Sequence, residues 1–232
     1  MKRADGRGLT RRQFGLGSLA LAGAVAAPGA ATAVAQERTR RPAEVWAELV
    51  SGNRRFMQDV PRPRALAVRR KQLEAKQEPR VVIFGCSDSR VSPTLVFGQS
   101  LGDLFIVSIA GTIADAFAVA SMEYAVDHFP VKVLVVLGHE KCGAVEAAAS
   151  GGTLPTANLE ELAKKIEPAL TPLRGRASGA ELVRLGIEAN VHHSAHDILE
   201  QSPLIRQATD SGRVLLVKAL YRLGSGEVVR LG

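Results

Sequence analysis

Cysteine is scarce in this sequence, with two among 232 residues. That excludes a scaffold stapled by several disulfides and makes the position of each thiol informative. A concentrated basic stripe is missing as well. The formal net charge is +7, but residues 1–35 carry five cations against one anion, which leaves +3 on residues 36–232. So mild a balance lacks the electrostatic footprint of a nucleic-acid binder. No internal repeat and no break in composition marks a second domain.

The first 35 residues read as a targeting segment. Lys2, Arg3, Arg7, Arg11 and Arg12, against Asp5, make a positive start. Gly15 to Ala35 is uncharged, rich in Ala, Gly and Leu, and closes on Ala33-Val34-Ala35, a small-x-small cleavage pattern. Arg11-Arg12, in Thr-Arg-Arg-Gln-Phe-Gly-Leu, resembles the twin-arginine signal that exports folded proteins. About 20 residues are enough to span a bilayer, yet the many glycines and alanines make this run weakly apolar. The expectation is cleavage after Ala35, no membrane anchor thereafter, and a periplasmic or secreted protein. Residues 36–232 then suffice for one domain with a substantial core.

Within that domain, Ala43 to Val60 and Ala65 to Ala75 have helical spacing. Val81–Phe84, Leu104–Val107 and Val133–Leu137 are short continuous apolar runs, the pattern of strands buried on both faces. Ile113 to His128 reads as a crossover helix. Further helices are expected near Cys142–Ala149, Ala157–Leu170 and Glu181–Glu200, with a terminal strand and hairpin over Val214–Leu220 and Glu227–Leu231. Strands alternating with helices predict an α/β domain with a mostly parallel central sheet flanked by helices. In such sheets ligands gather beyond the carboxyl ends of the strands.

That is where both cysteines fall. Cys86-Ser-Asp88-Ser-Arg90 follows the first strand, and His139-Glu-Lys-Cys142 follows the third. Two thiolates and an imidazole hold zinc with one position left open. Asp88 and Arg90 add a charged pair beside it. A Cys86–Cys142 disulfide is the alternative that export would favour, and twin-arginine export avoids it by closing the fold before the thiols meet an oxidant. His192, His193 and His196 invite a second metal site, but they lie in Glu188–Glu200, a polar stretch expected to be solvated. His128 suits a helix cap or a proton relay.

These segments resemble the β-class carbonic anhydrases. The likeness runs from about Glu44 to the C-terminus. Its core is Cys-Ser-Asp-Ser-Arg-Val-Ser-Pro at 86–93, Gly-Asp-Leu-Phe-Ile-Val at 102–107 and Gly-His-Glu-Lys-Cys-Gly-Ala at 138–144, with support from Met122–Val126 and Tyr221–Val228. The resemblance implies one Zn2+ per chain on Cys86, His139 and Cys142, with Asp88 and Arg90 as the catalytic dyad. The implied reaction is reversible hydration of carbon dioxide to bicarbonate by zinc-bound hydroxide. Gln77, Phe105, Tyr124 and Gly143 match positions that line the substrate pocket, partly from a neighbouring subunit, and a homodimer or homotetramer is expected. Ser108 replaces the family's arginine and Ile83 its tryptophan, so a regulatory bicarbonate site is expected to be missing, while Thr112 in place of the family's asparagine is expected to alter pocket packing and turnover. The same zinc site would serve a hydrolase of carbon disulfide or carbonyl sulfide. A catalytically silent zinc-binding protein also remains open.

Overall fold

The computed structural model describes residues 40–60 and 65–232. The expected export segment, residues 1–35, lies outside them, as does the leader up to residue 39. Among the described residues the centre is a five-stranded sheet ordered β2-β1-β3-β4-β5. Its strands are β1 (Val81–Gly85), β2 (Leu104–Ser108), β3 (Val133–His139), β4 (Leu215–Tyr221) and β5 (Val228–Arg230). The first four run parallel, and β5 returns antiparallel beside β4.

Every residue of β1 and β3 is buried, as continuous apolar runs demand when both faces are covered. The side chains alternate between two cores. Val82, Phe84, Leu134 and Val136 pack on one face with α4 (Ala116–His128), α7 (Gly179–Gln201) and α8 (Pro203–Asp210). Val81, Ile83, Val133 and Val135 face the other way, against Val45 and Leu49 of α1 (Pro42–Met57) and Val96 of the short α3 (Pro93–Val96). A third cluster joins α5 (Gly143–Ser150), α6 (Ala157–Leu170) and the start of α7. The short α2 (Leu66–Gln72) contributes no buried residue, and Arg69 ties it to Leu101 O and Asp103.

Two expectations need correcting. Leu104–Val107 is not buried on both faces: β2 is the edge strand of the sheet, and Ile106 is 41% exposed. Nor is Glu188–Glu200 simply solvated. It belongs to α7, where Asn190, Val191, Ser194, Ala195 and Ile198 form a buried face while His192 and His196 point outward. His192 Nδ1 lies 3.1 Å from Lys218 Nζ and His193 Nε2 lies 3.4 Å from Asp197, so each has a neighbour of its own. The helix α8, capped by Ser202 through the Ile205 N–H, occupies a stretch where no element was expected.

One contact fixes α1 against the turn that follows α3 by backbone alone. A Cβ on Gly52 would sit 1.8 Å from the carbonyl oxygen of Phe97. Gly98, next in the chain, takes φ +59° and faces the Gly52 backbone in turn. Asn53 bolts the same junction, donating from Nδ2 to Val96 O and Gly226 O and accepting the Val228 N–H. On helix propensity alone, Gly52→Ala would stabilise α1 by about 1 kcal/mol. Here the collision is with backbone, so the substitution should instead destabilise by about 3 kcal/mol, read as a lower urea midpoint with unchanged slope.

Candidate metal centre

The order β2-β1-β3 means that the chain leaves β1 toward one edge and later returns to its other side. The crevice between such neighbours, at their carboxyl ends, is where open α/β sheets bind ligands. β1 and β3 pair with Gly85 opposite Leu137. Cys86 therefore follows the end of β1 beside His139, the last residue of β3. Cys142 is the N-cap residue of α5, three residues on. Residues 53 and 56 positions apart in sequence thus converge.

The potential ligand atoms of Cys86, His139 and Cys142 all lie within 4.8 Å of one another. Among the described residues this is the grouping of its kind that the fold assembles. His139 Nδ1 donates to the Glu140 carbonyl at 2.8 Å, which leaves Nε2 as the bare nitrogen. That Nε2 is buried and has no hydrogen-bond partner, an expensive condition for a polar atom unless something binds there. Two sulfurs, one unprotonated imidazole nitrogen and a carbonyl fixing the tautomer make a donor set that fits a tetrahedral metal. Gly111 N–H reaches Cys86 Sγ at 3.3 Å.

Asp88 and Arg90 stand at the mouth of this group. Arg90 Nε donates to Oδ1 at 2.9 Å and Nη2 to Oδ2 at 2.7 Å, a two-pronged clamp. The Arg90 backbone N–H adds a third bond to Oδ1 at 2.9 Å. Nη2 also donates to the carbonyl of Lys141 at 3.2 Å, tying the dyad to the His139–Cys142 loop. Lys141 itself takes φ +52°. Asp88 Oδ2 lies 3.8 Å from His139 Nε2, so the carboxylate borders the place where an ion would sit.

The titration behaviour follows from these contacts. Arg90's hydrogen bonds hold the Asp88 carboxyl well below the usual carboxylate range, against a smaller opposing effect of burial. The hydrogen bond between the thiols lowers the pKa of Cys86 and raises that of Cys142, with burial adding to the rise at Cys142. Burial opposes protonation of His139, but the Cys86 sulfur, the Glu140 carbonyl and the Asp88 charge together raise its pKa.

The other expected site residues are distributed differently. Gly143 directly follows Cys142, and the space where its side chain would be is open. Gln77, exposed, precedes β1, whereas Cys86 follows it. The strand between them spans about 16 Å at the usual rise. Phe105 pairs with Val82 near the start of the sheet, and Tyr124 packs on it with ring centres 6.2 Å apart. Tyr124 also stacks on His128, whose Nδ1 lies 3.1 Å from the Tyr124 carbonyl. Gln77, Phe105 and Tyr124 thus gather toward the amino ends of the strands, and the fold does not bring them to the metal-binding group of their own chain. Conversely, the sequence reading overlooked Asn190 and Ser194. They lie four apart within an otherwise apolar face of α7, and that periodicity was the available signal.

A parallel α/β sheet with a Cys-His-Cys group and an Asp–Arg pair beyond its carboxyl edge defines a metal-binding α/β enzyme. Comparison with known proteins makes this specific. The sequence model of the family described as carbonic anhydrase matches residues 81–228. Carbonic anhydrase 2 of Mycobacterium tuberculosis is 36% identical over 192 residues, covering 81% of this chain and 92% of that protein. The carbonic anhydrase of Mycolicibacterium smegmatis is 35% identical over 191 residues with the same two coverages. The solved β-carbonic anhydrase CcaA superposes with a TM-score of 0.66 at 26% identity, over 81% of this chain and 95% of its own. The chain belongs to the β-carbonic anhydrase family and is an enzyme of the carbonate dehydratase class.

The thiol pair yields a test of the site. After chelator treatment, iodoacetamide should alkylate Cys86, half-buried and with a lowered pKa, well before the buried Cys142. Restoring metal should protect both, as followed by peptide mass spectrometry. Equal labelling with and without metal would exclude these sulfurs as ligands.

Proposed function

We propose that this chain is a zinc-dependent carbonic anhydrase that interconverts carbon dioxide and bicarbonate, with Cys86, His139 and Cys142 holding one Zn2+ per chain. The observation that carries this reading is the bare, buried Nε2 of His139 facing two sulfurs, with the clamped Asp88 carboxylate 3.8 Å away. Zinc, when bound there, supplies the Lewis acidity that makes water a nucleophile near neutral pH. Everything else falls to the side chains.

Asp88 is the residue that directs the reaction. Arg90 keeps it ionised, so it accepts hydrogen bonds but is too weak a base to hold a proton at neutral pH. Its role is therefore orientation: Oδ2 takes a hydrogen bond from the attacking water and turns a lone pair toward the substrate carbon. Because Arg90 engages both carboxylate oxygens, Asp88 is drawn toward the guanidinium and would be held back from an ion bound by Cys86, His139 and Cys142. Gly143, with no side chain to fill the space beside Cys142, leaves room for a small molecule and offers a backbone contact.

The apolar half of the pocket is proposed to come from a second copy. Gln77, Phe105 and Tyr124 stand toward the far end of their own sheet. Exposed aromatic side chains run from there along α4, beside the unpaired edge of β2: Tyr124 is 48% exposed, and Phe117, seven residues earlier near the start of the helix, is 85% exposed. Such a patch marks an interaction surface, and two-fold pairing through it would complete two sites at once. A homodimer, or a tetramer built from it, is the assembly this reading requires. Export is proposed on residues 1–35 alone. Among the described residues, no helix is long and apolar enough to cross a membrane.

Stopped-flow hydration of carbon dioxide by metal-quantified protein tests the activity. Turnover should scale with zinc to one ion per chain, and Asp88→Asn should reduce it by about 100-fold or more while retaining zinc. Zinc-loaded protein with negligible turnover from pH 6 to 9 would overturn the reading. Complementation tests the shared pocket. Co-expressing an Asp88→Asn chain with a Phe105→Ala/Tyr124→Ala chain, each inactive alone, should restore about a quarter of the wild-type rate if dimers pair at random and each site draws on both copies. No recovery in a verified mixed dimer would return the aromatic residues to a packing role.

A further inference from the structure

The turn Ala110–Thr112 touches the metal centre although it belongs to neither ligand segment. Gly111 takes φ +73° and Thr112 takes φ +54°. Two successive left-handed residues are rare, and for threonine the conformation persists only where the surroundings impose it. At Gly111 a Cβ would fall 2.8 Å from Ile166 Cδ1, so the turn is also tightly enclosed. Its product is a backbone N–H aimed at Cys86 Sγ, 3.3 Å away.

What imposes the turn is α7. Asn190 Nδ2 donates to the Gly111 carbonyl at 2.7 Å, and Ser194 Oγ donates to the Thr112 carbonyl at 2.6 Å. On the other side, Thr112 Oγ1 reaches Leu137 O of β3 at 3.4 Å. Asn190 and Ser194 are 3% and 2% exposed. Asn190 Oδ1, moreover, is buried with no partner. An apolar side chain would avoid that unsatisfied oxygen, so what justifies an amide here is the bond its nitrogen makes.

We propose that Asn190 and Ser194 are positioning residues for the metal centre, holding the Gly111–Thr112 turn so that its N–H tunes the Cys86 sulfur. The inference rests on the metal-binding reading above and extends it. A hydrogen bond to a thiolate withdraws electron density and fixes the direction of its lone pairs. In a site with two sulfur donors, the strength of one of them is then set from a helix whose residues are 104 and 108 positions downstream.

The experiment measures Zn2+ affinity by competition with a chromophoric chelator, together with the sulfur-to-metal charge-transfer band of the Co2+-loaded protein. Asn190→Ala should weaken Zn2+ binding about tenfold or more and move the band to lower energy. Ser194→Ala, a smaller change that decides the matter if the first variant fails to fold, should move both in the same direction. Asn53→Ala is the control, since Asn53 is equally buried and bonds to backbone still more extensively, through three hydrogen bonds, but lies in α1. It should lower Tm and leave both metal readouts unchanged. Wild-type affinity and band in Ser194→Ala and in any folded Asn190→Ala would overturn the inference, as would an equal shift in Asn53→Ala. A wild-type protein that binds neither metal would overturn the underlying reading and this inference with it.

Discussion

The chemistry of this protein depends on the register between β1 and β3. Parallel pairing places Gly85 opposite Leu137, so the residues immediately beyond each partner emerge together at the same edge of the sheet. A parallel pair cannot be closed by a tight turn and needs a crossover connection. The chain meets that need with β2, the Ala110–Thr112 turn and α4, and the turn thereby comes to rest against Cys86. One geometric requirement thus positions a thiol, an imidazole and the backbone donor that addresses the thiol. Slipping the pairing by one residue would turn the buried side chains of β1 to the opposite face, and both cores would lose their contacts with it.

Much of this was legible in the sequence because the strongest signals are local. Val81–Phe84 and Val133–Leu137 announce buried strands by composition, and Ala157–Leu170 shows its helix by period. The candidate ligands stand out because two cysteines and a histidine directly follow such strands. Position within the sheet is another matter. Leu104–Val107 has the same composition as its neighbours, yet it lies at the edge, since strand order depends on connections between elements. The helix α8 escaped notice because eight residues make only about two turns, although its apolar residues fall on one face and Ser202-Pro203 is a proper start. Asn190 and Ser194 were hidden for a related reason. Their partners, the carbonyls of Gly111 and Thr112, are 79 and 82 residues away, and no spacing rule connects a helix face to a distant turn.

The two ends of the sheet have divided the labour between polarity and apolarity. At the carboxyl end the fold concentrates sulfurs, an imidazole, a clamped carboxylate and left-handed backbone at Gly111, Thr112 and Lys141. Toward the amino end it leaves Tyr124 half exposed, packed on the partly buried Phe105. A single subunit therefore has its Cys-His-Cys group at one end of the sheet and the Phe105–Tyr124 pair toward the other. In the proposed dimer a second copy would bring together what parallel strands, by their direction, keep apart.

Cys142 is at once a candidate ligand and the residue whose carbonyl accepts the first hydrogen bond of α5, from Glu146 N–H at 3.0 Å. Its sulfur lies where the unpaired N–H groups of that helix concentrate positive potential. The coordination sphere and the first turn of α5 are therefore a single piece of covalent structure. Ligand binding to the native state adds stability in proportion to the logarithm of free ligand concentration, so the melting behaviour of α5, and of the cluster it shares with α6 and α7, becomes a function of available metal. For this fold the surrounding ion concentration is a thermodynamic coordinate in the same sense as temperature.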